Sequence, residues 1–258
     1  MEIKIKNLTV IIIAKNEEKK IENCLKSISW AGEILLIDNG STDKTAKIAK
    51  SFGTKIFSLK KANHAQLRNL GLEKATGNWI LYIDADERAT TDFEKELSSI
   101  INNKLSINYS AFAIPRRNII LRKEMKHGGW WPDYVKRVFL KKTLIKWDGE
   151  LHEEPVISGK YGYFNSPLIH VKHDNFSEMV EKSNIWSEIE AKLLYEANHP
   201  KMAWWRFLRI MISEIWYRLI VLKGFLDGPE GVIYAFYQMW YRFLVYAKLW
   251  EIQIQIKK

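Results

Sequence analysis

Short apolar runs alternate with longer stretches of mixed polarity in the N-terminal part of the chain. The apolar runs are LTVIIIA at 8–14, EILLID at 33–38, TKIFSL at 54–59 and NWILYID at 78–84. Each run has the length of a buried strand, and the stretches between them have the spacing of helices. Repeated strand and helix units are typical of a mostly parallel sheet flanked by helices. The pattern therefore predicts an α/β fold.

The predicted helices carry start and stop signals. Asn16 is placed to cap the first helix, and Ser41, Thr42 or Asp43 can cap the second. The third helix, HAQLRNLGLEKAT, is expected to close at Gly77. These signals set turns directly after the first two strands, where loops of an α/β sheet bind ligands.

The pattern of residue types changes where the α/β repeats end. Long helical stretches rich in tryptophan and tyrosine follow at 178–199, 203–226 and 232–250, with the turn DGPEG before the last. Charged residues interrupt the apolar positions, so the sequence predicts no transmembrane helix. We expect an α/β domain over 1–175 and a helical, aromatic-rich C-terminal region over 176–258.

Composition narrows the class of protein. The chain has 258 residues, of which 47% are hydrophobic, which is enough for a large core and excludes a mainly disordered protein. Cys24 is the single cysteine, so no internal disulfide is expected. The first residues lack the long apolar run and cleavage motif of a secretory signal. These features favour a cytoplasmic protein.

The net charge of +10 predicts attraction to an anionic partner. The sequence has no extended block of basic residues, no CxxC pair and no RNP-like or helix-turn-helix signature, which argues against nucleic acid. Interleaved basic and aromatic residues in the C-terminal region suit the headgroup level of an anionic membrane. Such stripes are also typical of helices packed on the α/β domain or on a second copy in a homodimer. We therefore expect a cytoplasmic protein that is peripheral on the inner face of the cell membrane, with a homodimer as the alternative.

Three acids stand at the end of the fourth apolar run, in the stretch YIDADE. Asp84, Asp86 and Glu87 repel one another unless a metal ion, basic neighbours or water offset their charge. Asn16 and Asp38 follow the first two strands, so these polar residues are expected at one edge of the sheet. Together they indicate a single ligand site.

The chain has neither a GxGxxG motif nor a P-loop, so a bound phosphate needs another anchor. A DxD pair in an extended stretch points both carboxylates the same way, and Mg²⁺ or Mn²⁺ can bridge them to diphosphate oxygens. The residues therefore predict a divalent metal cofactor and a ligand that carries a diphosphate.

Four stretches, VIIIAKNEE, IDNGSTDKT, RNLGLEKATGNWILYIDADE and GELHEEP, have an order and spacing that resemble family 2 glycosyltransferases. The resemblance covers about residues 7–175 and is to inverting enzymes of the lipopolysaccharide inner core, which include β-1,4-glucosyltransferases. It implies a GT-A fold, with a Rossmann-like, mostly parallel sheet flanked by helices. It further implies metal-assisted transfer of a sugar, with glucose favoured, from a nucleotide-diphosphate sugar, with UDP favoured, to a lipid-linked glycan.

The same resemblance implies the residues of the donor site. Nucleotide binding falls to Ala14, Asn16, Glu17, Asp38, Arg68 and Asp84. Asp38 would accept a hydrogen bond from a uracil N–H, and Arg68 would line the diphosphate pocket, where a guanidinium suits phosphate geometry. Asp86 would be the direct metal ligand, with Asp84 at the metal or the ribose.

An inverting transfer needs a base that takes the proton from the acceptor hydroxyl. The stretch WDGELHEEPV sets His152 beside two acids, and the resemblance favours the acid that directly follows the histidine. We therefore assign the base to Glu153, with Asp133 as the second candidate. His152 would orient the base or contact phosphate.

The stretch GGWWPDYVKRVFLKK resembles a loop and strand that form an acceptor wall. Trp130 and Trp131 are predicted to stack on sugar rings, and Arg137 to approach a phosphate or an acidic acceptor, although large aromatic residues are also typical of a core. His170 and His173 form a further pair with reach to a metal or phosphate, or mark a turn at a strand end.

Two other classes of protein remain open from the sequence. One is a nucleotidyltransferase or sugar-nucleotide-binding protein with a similar sheet, for which a basic, glycine-rich loop is expected where AKNEE is acidic. The other is a non-enzymatic membrane-binding module in which the acids only cap helices.

Overall fold

The computed structural model describes residues 4–102, 108–149, 153–173 and 175–255. The chain divides into two compact units. The first unit comprises 1–116 and 133–170, and the second comprises 117–132 and 171–258. The second unit thus contains the predicted C-terminal region together with a segment from the middle of the chain.

A parallel core of the sheet lies in the first unit. It consists of β1 (Ile5–Ala14), β2 (Ala31–Asp38), β3 (Lys55–Ser58) and β4 (Trp79–Asp84). The order is β3-β2-β1-β4, and all these pairs are parallel. The four strands predicted from the apolar runs are confirmed, with shifts of a few residues at their ends.

Further strands, most of them in antiparallel pairs, extend the sheet beyond β4. They are β5 (Glu87–Ala89), β6 (Ala111–Ile120), β7 (Lys123–Met125), β8 (Asp133–Leu140), β11 (Tyr161–Tyr163) and β12 (Leu168–His173). From β4 the order continues β8-β6-β12-β5, and β11 adds a parallel pair with β6. A separate hairpin joins β9 (Leu144–Asp148) to β10 (Glu154–Ile157). The observed sheet is therefore mixed, with a parallel core.

Helices α1 (Ile21–Ser27), α2 (Thr45–Ser51), α3 (His64–Lys74) and α4 (Thr91–Asn102) follow successive strands. Alternate residues of the central strands enter two different buried clusters, so both faces of the sheet are covered. Helix α3 lies close on β1, since a Cβ at Gly71 would be 2.6 Å from Ile11 Cγ2. This close approach fixes the helix that carries Arg68.

Two of the predicted helix signals were wrong. Asn16 lies before the helix with a φ of 58°, and its side chain bonds to a neighbouring loop instead of capping α1. Helix α3 ends at Lys74, and Gly77 serves a different purpose: a Cβ there would lie 2.7 Å from the backbone nitrogen of Thr9. Asp43 does contact the start of α2, where its Oδ1 accepts a hydrogen bond from the Thr45 backbone at 2.9 Å.

The second unit is built around α5 (Phe176–Glu196), α6 (Trp204–Ile215) and α7 (Gly228–Gln255). Helix α5 packs along α7, where Tyr241 donates to Glu190 at 2.8 Å. A π-helical segment over Trp216–Val221 and a short 3-10 turn over Gly224–Asp227 connect α6 to α7. Among the residues described, no helix has the length and apolar character needed to cross a bilayer.

Candidate active site

The register of the parallel strands sets the predicted donor-site residues side by side. Ala14 pairs with Asp38, and Ile13 pairs with Asp84, so β1, β2 and β4 end at the same edge of the sheet. Because side chains and loops at this edge converge, the residues predicted after the strands share one site. This edge of the sheet is the candidate active site.

The loops after β1 and β2 bind to each other through side chains. The backbone nitrogen of Asn16 donates to Ser41 Oγ at 3.0 Å, and Asn16 Oδ1 accepts from the Thr42 nitrogen at 2.8 Å. The Glu17 nitrogen donates to Thr45 Oγ1 at 2.8 Å. These bonds hold Asn16 and Glu17 beside the loop that follows Asp38.

Asp38 is buried and shapes its own loop. Its two carboxylate oxygens accept from the Ser41 backbone nitrogen at 3.1 and 3.2 Å. The Asn39 nitrogen donates to the carbonyl of Ala14 at 3.0 Å, which ties the two strand ends together. A carboxylate has about four lone-pair positions, so Asp38 keeps capacity to accept from a ligand.

Asp84 and Glu87 of YIDADE lie in a network of alternating charges. Its members follow one another in the order Glu153, Arg68, Asp84, Arg137, Glu87, Arg116 and Asp133. Each guanidinium in the network lies between two carboxylates. This arrangement offsets the repulsion expected from the sequence.

Arg68 links the predicted base to the DxD stretch. Its Nε donates to Glu153 Oε1 at 2.9 Å, and its Nη2 lies 3.6 Å from Asp84 Oδ1. The guanidinium stacks against Trp147, with 4.7 Å from Cζ to the ring centroid. Arg68 Nη1 is buried and has no hydrogen-bond partner among the described residues. A buried donor of this kind is suited to a bound anion.

Glu87 is the fully buried centre of the network. Its Oε2 accepts from the Asp84 backbone nitrogen at 2.9 Å, and its Oε1 accepts from Arg137 Nη2 at 3.0 Å and from Arg116 Nη1 at 3.2 Å. Arg116 also donates from Nη2 to Asp133 Oδ2 at 2.7 Å. Glu87 therefore positions both arginines and the backbone of Asp84.

The charges fix the ionised form of the DxD acids. Burial alone would favour protonated Asp84, but the guanidinium of Arg137, followed by that of Arg68, holds the pKa of Asp84 well below its usual range. Arg137 shows the corresponding shift. Burial would lower its pKa, but the carboxylates of Asp84 and Glu87 raise it. Both side chains are therefore charged at every physiological pH.

Asp86 stands apart from the arginine network and faces a histidine. Asp86 Oδ2 lies 3.5 Å from His170 Nε2, and His170 is buried. Burial opposes ionisation of Asp86, yet its contact with His170 lowers the pKa of the carboxyl. In the described residues no three histidine, cysteine or acidic side chains group as a metal site. A carboxylate beside an imidazole is nevertheless a suitable part of a donor set for a divalent ion whose other ligands come from a substrate.

The remaining predicted residues have different surroundings. Trp130, in the second unit, packs edge-to-face on Tyr234 with 5.1 Å between ring centroids, whereas Trp131 is 45% exposed. Arg137 is buried between Asp84 and Glu87. Their roles at an acceptor stay predictions. His152 lies outside the described residues.

Arg116 is the member of the network that sequence reasoning missed. Its position in a strand of mixed polarity carries no motif, and its partners Glu87 and Asp133 are distant in sequence. The pairing of Arg116 with Asp133 across β6 and β8 is set by strand register, which the sequence alone does not reveal. A signal was available in Glu87, because a buried acid beside a DxD pair requires a basic partner.

A parallel-core sheet with polar side chains gathered at its carboxyl edge is the arrangement expected of a GT-A glycosyltransferase. The chain belongs to glycosyl transferase family 2, whose family model matches residues 9–165. The GT-A fold and the family expected from the sequence motifs are thereby confirmed.

Several known proteins are similar to this chain over most of its length. An uncharacterized glycosyltransferase of Rickettsia bellii is 27% identical, over 98% of this chain and 90% of that protein. The lipopolysaccharide core biosynthesis glycosyltransferase LpsC of Rhizobium meliloti is 25% identical, over 89% of each. The crystal structure of S. aureus TarS 1–349 superposes with a TM-score of 0.51 at 14% identity, covering 90% of this chain and 80% of that one, so the two share a fold.

Proposed function

We propose that this glycosyltransferase is an inverting, metal-dependent hexosyltransferase that moves glucose from a UDP-sugar to a lipid-linked glycan such as the lipopolysaccharide core. The observation that carries the proposal is the position of Asp84 and Asp86 at the strand edge, within reach of Arg68 and His170. The name of the similar R. meliloti protein supports the class of acceptor. We assign the reaction to the cytoplasmic face of the membrane.

On the donor side, the chain supplies a pocket for a nucleotide diphosphate. Ala14, Asn16 and Glu17 border the base and ribose, and Asp38 accepts from a uracil N–H. Arg68 binds the diphosphate through its buried Nη1, which has no hydrogen-bond partner among the described residues. Asp84, held ionised by its arginines, faces the ribose.

The metal site in this proposal uses Asp86 and His170, with Asp84 nearby. A divalent ion bound there supplies electrostatic stabilisation of the departing diphosphate. His170 adds an imidazole nitrogen, a ligand that suits Mn²⁺ better than Mg²⁺, which prefers oxygen. We therefore favour Mn²⁺.

On the acceptor side, Glu153 is the base. The acceptor hydroxyl gives its proton to the Glu153 carboxylate, its oxygen bonds to the anomeric carbon, and the bond from that carbon to the diphosphate oxygen breaks. Arg68 orients Glu153 through the 2.9 Å bond to Oε1, leaving the proton to Oε2 in our assignment. Asp133, whose Oδ2 accepts from both Nε and Nη2 of Arg116, stays the second candidate because the resemblance favours Glu153. For His152, Trp130, Trp131 and Arg137 we keep the acceptor roles that the resemblance implies.

The test compares Glu153→Gln with Asp133→Asn, using UDP release in the presence of truncated lipopolysaccharide cores. We expect Glu153→Gln to lower kcat by about 10²- to 10⁴-fold, the usual contribution of a general base, while leaving UDP affinity nearly unchanged. Asp133→Asn should keep most of the activity. Loss of transfer in Asp133→Asn with full activity in Glu153→Gln would reverse the assignment.

The two alternative classes are less well supported. Family membership favours sugar transfer over nucleotidyl transfer or simple binding. A non-enzymatic membrane module would have no use for the network that joins Glu153 through Arg68 to Asp84.

A further inference from the structure

Helix α6 and the π-helical segment after it carry apolar side chains on their outward face. Exposed positions recur every four residues, at Trp204, Leu208, Ile212, Trp216 and Ile220, with Trp205, Tyr217 and Val221 beside them. Trp204 is 75% exposed, Ile212 69% and Trp216 61%. We name these eight side chains the α6 apolar face. A surface helix of a globular protein normally turns its apolar side inward, so this face indicates an interaction surface.

Packing of the opposite side fixes this orientation. Phe207 contacts Phe243 of α7, with 5.8 Å between ring centroids. The ion pair of Glu214 and Arg218 lies on the half-buried side, and Arg218 Nη1 also donates to the Gly128 carbonyl at 3.2 Å. Phe207 and the Glu214–Arg218 pair thus face the protein, while the α6 apolar face is exposed.

The charge around the α6 apolar face is positive. The segment 201–226 contains the basic residues Lys201, Arg206, Arg209, Arg218 and Lys223 against the single acid Glu214. Arg209 and Lys223 are exposed, and Arg206 stacks on the Trp205 ring at 4.6 Å. Apolar side chains flanked by tryptophan, tyrosine and arginine match the interface between acyl chains and anionic headgroups. Phe225 and Leu226, both exposed, extend the apolar surface into the next turn.

We infer that the α6 apolar face docks the protein on an anionic lipid surface, with the helix lying in the plane of the headgroups. In a twofold dimer the same surface patch of each copy meets across the axis. The basic residues of one copy would then lie near the basic residues of the other and repel them. Anionic lipid has no such penalty. The inference goes beyond the transfer reaction and does not depend on it.

The test is co-sedimentation of the full chain with vesicles of equal parts phosphatidylglycerol and phosphatidylcholine, or of phosphatidylcholine alone. We expect binding to the anionic vesicles and at least about tenfold weaker partitioning for the double variant Leu208→Glu with Ile212→Glu, since the charge is added where apolar area is buried. Ile185→Glu is the matched control, because Ile185 is 62% exposed on α5 and lies outside the α6 apolar face. The control should bind like the wild type.

Equal vesicle binding by the double variant and the wild type would overturn the inference, as would equal loss in the control. Sedimentation velocity without lipid measures whether the protein forms a dimer through this face. A wild-type dimer that the double variant abolishes, together with no vesicle binding, would assign the face to a second copy. Unchanged circular dichroism and unfolding midpoint in the variants would show that the fold is kept.

Discussion

At the scale of single residues, Glu87 shows how neighbouring acids at the strand end are stabilised by basic partners. It is fully buried and accepts from the Asp84 backbone, from Arg137 and from Arg116. Breaking a buried ion pair on one side leaves an uncompensated charge, which is far more costly than losing an exposed pair. Glu87 is therefore a positioning residue for the donor site.

Glu87→Gln should destabilise the protein by about 3 kcal/mol, because a neutral amide leaves the guanidinium groups of the buried Arg137 and the half-buried Arg116 without this carboxylate. Urea unfolding at neutral pH measures the change. Glu124→Gln is the matched control, since Glu124 also pairs with an arginine, Arg117, but in a more exposed place; its effect should be below about 1 kcal/mol. Similar losses of unfolding free energy in both variants would contradict the structural importance that we assign to Glu87.

The donor-site residues that follow strands could be predicted from the sequence, whereas their partners could not. Asp84 and Asp38 stand directly after apolar runs, so their edge of the sheet is fixed once the strands are parallel. Arg137 was assigned to an acceptor, yet it lies buried between Asp84 and Glu87. Such pairings depend on strand register across β4, β8 and β6, and a single sequence holds no record of it.

At the scale of elements, Glu33 joins several parts of the sheet. Its carboxylate accepts from Thr9 in β1 at 2.6 Å, from Lys55 in β3 at 2.7 Å and from the backbone of Thr76 at 2.8 Å. Burial opposes ionisation, but Lys55, Thr9 and Thr76 together lower the pKa of Glu33 to about 2. A depressed pKa means that the ionised side chain stabilises the fold.

Glu33→Gln should lower the free energy of unfolding at pH 7 by about 1 to 2 kcal/mol, since charged hydrogen bonds are lost and solvent screens part of the effect. The stabilisation is present above the ordinary glutamate pKa and is lost as the pH falls through about 2. The difference between variant and wild type should therefore shrink in urea titrations at successively lower pH. A pH-independent difference, or an equal one for the exposed Glu73→Gln, would contradict this account.

The parallel strands and most helices could be predicted because period and length identify them locally. The caps were less certain: Asn16 bonds across to Thr42 instead of capping α1, and Asn63 forms a capping box with Gln66 that the pattern did not reveal. A strand was expected in GGWWPDYVKRVFLKK, where β8 lies, whereas β6 was missed because it is of mixed polarity and pairs with strands distant in sequence. Local rules describe the βα repeats better than the second half of the sheet.

At the scale of the whole molecule, half-buried carboxylates with lowered pKa values set the response to acid. The pKa values of Asp84 and Asp86 are lowered in the fold. Groups with depressed pKa stabilise the protein above their unfolded pKa and cease to do so as the pH falls through the folded one. The free energy of unfolding should therefore be nearly flat from about pH 7 to 5 and decline below about pH 4. Calorimetric unfolding across this range measures it, and stability that rises below pH 4 would contradict the assigned charges.

The domain boundary was predicted only from the change in composition along the chain. Composition does not show that a segment from mid-chain packs with the C-terminal helices. The segment 117–132 belongs to the same unit as the C-terminal helices. Within that unit, Met125 and Trp130 enter a buried cluster with Tyr234 and Tyr237. A short strand and loop in mid-chain carry no signal for such a distant helix, which is why the sequence boundary was drawn at a single point.

The most direct test of the central claim is calorimetric titration of UDP into the wild type and Asp86→Asn, with and without Mn²⁺. The account predicts that Mn²⁺ strengthens UDP binding to the wild type, and that Asp86→Asn loses most of this enhancement because the carboxylate beside His170 is gone. Asp92→Asn, an exposed aspartate on α4, should behave like the wild type. UDP affinity that is independent of Mn²⁺ and unchanged in Asp86→Asn would contradict the metal site, and no UDP binding by the wild type under either condition would contradict the donor site itself.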